Sequence, residues 1–182
     1  KQRNDFDKLV PLAQGKNISV IFDSALTIQG IEVSSTQIRK ALAEGNVEMA
    51  TKMMGRPYSV TGKVAPGRHV GLQIGFPTAN IELNDSTKAL PAEAVYAVKV
   101  SYKGKIYNGM ANIGSQPTFD SLNPTFEVNI FDFEGDIYEQ ELEISFYQKL
   151  RPIQRFSSID ELVSQLEADR AHAQQTLAIS RV

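Results

Sequence analysis

The sequence has no cysteine, which excludes disulfides, thiolate metal sites and cysteine nucleophiles together. Histidine is almost as scarce: there are two, His69 and His172, too few for chemistry built on several imidazoles. No lysine- or arginine-dense run occurs and the formal net charge is −2. Nucleic-acid binding needs a basic footprint, so no nucleic-acid partner is expected. The apolar runs are short and broken by charges, so none can span a bilayer and no membrane partner is expected. No apolar signal segment follows Lys1–Asp5. A Walker A loop is missing too: Gly-Lys occurs at Gly15-Lys16, Gly62-Lys63 and Gly104-Lys105, never followed by Ser or Thr. These absences predict a soluble cytoplasmic protein. What is present, 42% apolar and 22% charged residues over 182 positions, fits one domain with a real core, or one domain plus part of another.

The first third reads as α/β material. Phe6 to Leu12 is compatible with a short helix, and Ile18-Ser19-Val20-Ile21-Phe22 predicts a buried β-branched strand. Ser34 and Ser35 precede the periodic run Thr36 to Leu42, a helix N-cap signal whose free amides could hold an anion or serve only as a cap. Gly45-Asn46 closes that helix and Val47 to Met54 makes a second.

From Arg56 the texture changes to strands and turns. Tyr58 to Val64 alternates with period two, and Val95 to Tyr102 is a second strand. Lys103-Gly104-Lys105 turns it into Ile106 to Ile113 as a hairpin. Thr125 to Phe133 is a further strand, turned by Glu134-Gly135-Asp136 into Ile137 to Gln148. Short strands at this spacing predict an antiparallel barrel. Ser158-Ile159-Asp160-Glu161 is a capping box, and Ile159, Leu162, Val163 and Leu166 form the apolar stripe of a C-terminal helix packed on it.

Gly75-Phe76-Pro77-Thr78-Ala79-Asn80 carries the chemistry. Gly75 permits angles other residues avoid, and Pro77 holds Phe76 extended. Thr78 and Asn80, two apart, leave one face of an extended backbone as neutral oxygen ligands. A hard cation that brings its own anion suits them, which points to Mg²⁺ carried by a nucleoside triphosphate. Spacing alone leaves open a tight turn whose Thr and Asn satisfy its backbone. On Phe126-Glu127-Val128-Asn129-Ile130, Glu127 leaves the face opposite the apolar residues. It reads either as a partly desolvated base or as an exposed charge, and nothing in the spacing links it to Thr78.

The stretch Ser34-Ser35-Thr36-Gln37-Ile38-Arg39 resembles the C-terminal signature of the HxGH nucleotidyltransferases, which implies roles near ATP phosphates for Ser34, Ser35, Thr36 and Arg39. Those enzymes also need a His-x-Gly-His element, and no histidine precedes His69. Residues 1–54 therefore resemble the tail of an FMN adenylyltransferase domain without its catalytic front, and no adenylyl transfer is expected from this chain alone.

From Gly55 to the end the chain resembles the riboflavin kinase family, in bacteria usually the C-terminal half of a bifunctional riboflavin kinase and FAD synthetase. The resemblance rests on Gly55-Arg56-Pro57-Tyr58-Ser59, Gly75 to Asn80, Ala111-Asn112-Ile113-Gly114 with Pro117-Thr118-Phe119, Phe126 to Phe133, and Leu150-Arg151-Pro152 with Phe156. It implies a mainly β fold: a six-stranded antiparallel Greek-key barrel with a C-terminal helix, preceded by the α/β remnant. It implies an ATP:riboflavin 5′-phosphotransferase making FMN and ADP from riboflavin and ATP with Mg²⁺, in a parent that also makes FAD through an N-terminal adenylyltransferase domain. By similarity Thr78 and Asn80 are metal ligands and Glu127 the base. Gly62, Lys63, Gly67 and Arg68, in a flap ending at Gly71, contact ATP together with Gly75, Phe76, Pro77, Ile130 and Asp132. Asn112, Arg151, Gln154 and Phe156 line the flavin end. The chain departs from the family pattern in a flap poorer in glycine and basic residues, in Ala94 and Glu139 where glycine is usual, and in Asn129 where histidine is common. A diverged flavin- or nucleotide-binding module without turnover is the alternative. A small barrel that binds oligonucleotides fits the fold but not the charge.

Overall fold

A computed structural model describes residues 9–13, 16, 18–21, 23–66, 70–114 and 125–179. The chain divides into two compact units, Lys1–Val33 and Ser34–Val182. In the first, residues 9–13 are helical. Strands β1 (Thr27–Ile28) and β2 (Ile31–Glu32) pair antiparallel. The expected strand at Ile18 to Phe22 is corrected: residues 18–21 are not a strand, and Ile18 and Ile21 are 57% and 86% exposed. An apolar run without a ladder partner has nowhere to place its backbone hydrogen bonds. Phe22 lies outside the described residues.

The second unit opens with helices α1 (Ser35–Ala43) and α2 (Val47–Met54). The Ser34 hydroxyl caps α1 by accepting from the Gln37 amide at 3.3 Å. Asn46 caps α2 by accepting from Met49 at 3.0 Å, and Gly55 ends it in the left-handed region, φ 71°. Helix α2 packs on the barrel strands that follow, so the compact unit begins well ahead of the change of texture near Gly55.

The barrel comprises β3 (Tyr58–Ala65), β4 (Ala79–Leu83), β5 (Ala94–Tyr102), β6 (Lys105–Gly114), β7 (Thr125–Ile130) and β8 (Glu141–Arg151). It closes in the order β3-β4-β7-β6-β5-β8, with every pair antiparallel. Three hairpin-connected strands, β5–β6–β7, with β8 returning beside β5, make the Greek key. The period-two pattern explains why these segments close. Val60, Val64, Val98, Val100, Val128 and Ile144 point inward and are fully buried, each side chain contributing about 1.5–3 kcal/mol. Phe146 sits among Tyr58, Phe126 and Tyr96 at ring separations of 6.4, 6.0 and 5.5 Å.

Two strand ends differ from the sequence expectation. β7 stops at Ile130, not Phe133, because Asp132 takes φ 52°. β8 begins at Glu141, not Ile137, because an Asx turn from Asp136 to the Tyr138 amide and Glu139 at φ 60° occupy the approach. Helix α3 (Val70–Gln73) is a single turn. Helix α4 (Ile159–Ile179) covers the outer face of β5, β6 and β8. Its Ala173 and Leu177 join Phe76, Ala97, Met110 and Phe131 in a second apolar cluster outside the barrel. Ser158 caps α4 by accepting from the Glu161 amide. The Glu161 carboxylate accepts from the Ser157 hydroxyl and, second, from the Ser157 amide, which holds it below the usual carboxylate range. Ile159, expected on the packed stripe, is 65% exposed: the stripe is built from Leu162, Val163 and Leu166 onward.

Candidate active site

The site follows from register. Asn80 on β4 stands opposite Glu127 on β7, and Glu127 stands opposite Asn112 on β6. The row continues through Val95 on β5 to Arg151 on β8. Directly opposed residues leave the same face with Cβ atoms about 4.5–5.5 Å apart. Since Phe126 and Val128 point into the barrel, Glu127 and its neighbours in the row point out of it. One level of the outer wall therefore carries an amide, a carboxylate, a second amide and a guanidinium on neighbouring strands. The hydroxyl–amide pair and the strand carboxylate, unconnected by spacing, are brought together.

Two cavities flank this row. One, of about 340 Å³, is lined by Glu127, Asn112, Arg151, Gln154 and Phe156, with Leu162 and Leu166 of α4 as its far wall. The other, of about 380 Å³, is lined by Pro77, Ile130, Phe133, Tyr138 and Leu72. Thr78 lines both. All four residues expected at the flavin end thus share the cavity of Glu127, and Pro77 and Ile130 lie in the opposite one.

The Thr78 segment is shaped by close approach. Gly75 takes φ 80°, the left-handed region that favours glycine. The Phe76 amide donates to Gly71 O at 2.8 Å, folding α3 back on the segment. A Cβ on Gly71 would lie 2.2 Å from Phe76 O and 3.4 Å from Thr78 Oγ1. Only glycine permits so close an approach of α3 to the Phe76 carbonyl, with the Thr78 hydroxyl beside it. Thr78 lines both cavities and Asn80, on the Glu127 rung, lines neither; neutral side-chain oxygens of this kind suit a hard cation. Among the described residues no group of three or more His, Asp or Glu could hold a metal alone, so a cation here would arrive with an anionic ligand.

Other expected residues fall elsewhere. Gly62 lies within β3, where a Cβ would meet Glu82 O of β4 at 2.6 Å, so this glycine serves strand packing. Lys63 points outward and pairs with Glu139. Neither lines a cavity. The flap expected over Gly62–Gly71 is thus strand through Ala65 and the start of α3 at its end; Gly67 and Arg68 lie outside the described residues, as do Pro117, Thr118 and Phe119. Phe76 is buried on the Glu127 side rather than the other cavity. Asp132 is exposed and ion-paired with Arg170 of α4 at 2.7 Å. Ser34 is engaged as a cap; Ser35, Thr36 and Arg39 are exposed on α1.

The structure adds residues that pattern reading missed. Arg151 Nε donates to both Asp169 oxygens at 3.0 and 2.9 Å, and Nη2 lies 2.8 Å from Oδ2. Gln165 Nε2 donates to Asp169 at 2.9 Å, and Gln154 to Gln165 at 3.4 Å. The Arg151 guanidinium lies 5.6 Å from the Phe156 ring centre. Asp169 is 4% exposed. The available signal was a carboxylate set into the apolar helical stripe between Leu166 and Ala173, which only a buried cation would justify.

Two cavities share one hydroxyl: one lies on the outer wall of a closed antiparallel barrel, and the other reaches the inward-facing Val64 and Val128. Residues 54–177 match the Flavokinase family, riboflavin kinase. The chain is 43% identical over 151 residues to the bifunctional riboflavin kinase/FMN adenylyltransferase of Bacillus subtilis, covering 81% of this chain and 48% of that protein. Against the protein of the same name from Pseudomonas fluorescens it is 37% identical, covering 97% and 56%. A crystal structure described as a macrolide-efflux protein from Streptococcus pneumoniae superposes with a TM-score of 0.82 at 39% identity, over 87% of this chain and 52% of that one. Among the described residues no helix is long and apolar enough to cross a membrane. This chain belongs to the riboflavin kinase family. It spans about half the length of the curated relatives it matches.

Proposed function

We propose that the chain is a riboflavin kinase, transferring the γ-phosphoryl group of ATP to the 5′-hydroxyl of riboflavin. The observation that carries this reading is the opposition of Asn80 and Glu127 across the β4–β7 ladder, beside a hydroxyl common to both cavities. Riboflavin occupies the cavity of Asn112, Arg151 and Phe156, its ribityl chain running toward Glu127. ATP occupies the cavity of Pro77 and Ile130. The transferring group passes at Thr78.

In the reaction the bond from the γ-phosphorus to the bridging oxygen breaks as the bond to O5′ forms, leaving ADP and FMN. Such transfers depend on positioning and charge neutralisation more than on covalent catalysis. Glu127 accepts a hydrogen bond from the 5′-hydroxyl, orients it and takes its proton late, a contribution typically about 10²–10⁴-fold. Thr78 and Asn80 would hold Mg²⁺, which would neutralise charge on the phosphates when bound. Gly71 keeps α3 close enough to exclude water from the hydroxyl they share.

The proposal includes a cytoplasmic setting, in keeping with a cysteine-free sequence. It includes an adenylyltransferase domain in the parent protein, as the names of the relatives state for them; residues 1–54 would be its tail. The test is FMN formation from riboflavin and Mg²⁺·ATP by the wild-type chain and by Glu127→Gln. Glu127→Gln should lose about 10²–10⁴-fold in kcat with riboflavin KM little changed. Equal rates in the two proteins would remove Glu127 from the reaction.

A further inference from the structure

Asn129 has no part in the reaction just described, yet its side chain is tied into the site. It is 5% exposed and its Nδ2 donates to the Pro77 carbonyl at 2.6 Å. A carbonyl oxygen can only accept, so the NH₂ end of the amide must face it. Asn129 stands two residues from Glu127 on β7, leaves the same face and lines the same cavity. Its acceptor is the carbonyl immediately preceding Thr78.

This tie sits where backbone pairing ends. The β4–β7 ladder consists of Asn80 with Glu127 and Ala79 with Val128. Thr78 is one residue beyond the last rung, and the chain then turns through Pro77, which has no amide hydrogen to extend the ladder. On the other side, Gly71 O accepts from the Phe76 amide. The peptide joining Pro77 to Thr78 is thus anchored to the strand that carries Glu127 by the Asn129 side chain.

We propose that Asn129 is a positioning residue that sets the placement of Thr78 relative to Glu127 through the Pro77 carbonyl. This rests on the kinase reading above. An asparagine does not titrate, so the tie holds at any pH at which the fold does.

The test compares Asn129→Leu, close in size but without a donor, Asn129→Ala, and Asn129→His, which retains a ring N–H. Asn129→Leu should lose about 10–100-fold in kcat, the usual cost of a misplacement of about 1 Å. Riboflavin KM should move less than about three-fold, since uniform binding is untouched. Hydrogen exchange at the Phe76, Thr78 and Ala79 amides should quicken about ten-fold while β5 and β6 stay protected. Asn129→His should recover most of the kcat and the protection. If Asn129→Leu does not fold, Asn129→Ala and Asn129→His give the same readings. Unchanged exchange in the donor-less variants overturns the tie, and faster exchange with wild-type kcat overturns the positioning role. Should wild-type protein form no FMN, the kinase reading fails, and the tie is decided by exchange alone: faster exchange confined to that segment upholds it.

Discussion

The two cavities on either side of Thr78 are built from different materials. The one containing Glu127 has strand residues of β6 and β7 for a floor, α4 for a wall, and an Arg151–Asp169 pair whose side chains are 14% and 5% exposed. The other has Val64, Ala79, Val128 and Ile130 of β3, β4 and β7 for a floor, but its wall is Phe133 to Tyr138, a turn with no ladder of its own, bracketed by Asp132 and Glu139 at φ 52° and 60°. Paired strands and a buried ion pair resist displacement; turns at the low-stability end of a fold do not. Under the proposed function, riboflavin meets a preformed surface, and ATP meets one that adjusts around it.

Gly71→Ala is the strongest way to break this contrast, because it acts at the seam. The added Cβ would meet backbone at 2.2 Å, so α3 must move away from Thr78. Loss of about 10²-fold in kcat/KM for both substrates is expected, because α3 lines one cavity through Gly71 and the other through Leu72. Full activity in steady-state assays would mean that the seam yields freely.

Asp169→Ala tests the rigid side. Removing one partner of a buried pair leaves an uncompensated charge and costs about 3–5 kcal/mol. Denaturant unfolding should show that loss, and riboflavin KM should rise about ten-fold while ATP KM holds, as expected when only ground-state binding is removed. A cost below about 1 kcal/mol, the range of exposed pairs, would place Arg151 among surface charges.

The smallest effect is expected from Glu139→Gly on the adjustable side. Glycine relieves the left-handed strain, about 1 kcal/mol, and loses a similar amount through unfolded-chain entropy. The exposed Lys63–Glu139 pair adds little. Unfolding free energy should shift by less than about 1 kcal/mol. A large loss would show that this turn, too, is held rigidly.

Much of the fold was legible because the barrel strands alternate strictly and their hairpins carry turn residues, as Lys103 and Gly104 do at φ 46° and 77°. The strand ends at Ile130 and Glu141 were not: Glu139 is not a residue type that announces a left-handed backbone, and Asp132, though of a type enriched there, sits inside an alternating apolar run. Ile18 to Ile21 look like a strand by composition, but pairing is a property of neighbours, not of the run itself. The site was half legible. Thr78, Asn80 and Glu127 stand out as residue types, yet their meeting depends on a register that periodicity does not contain; family resemblance supplied it. Asp169 stayed hidden because its partner lies 18 positions away on another element.

The single row through Asn80, Glu127 and Asn112 has an evolutionary corollary. Because side chains alternate at every step of a strand, inserting or deleting one residue within β7 would turn Glu127 into the barrel and swing Phe126 or Val128 out to the ligand. Chemistry and core would be lost in one stroke. Length changes in this lineage should therefore be sought in its connecting loops, while β7 drifts only by substitution.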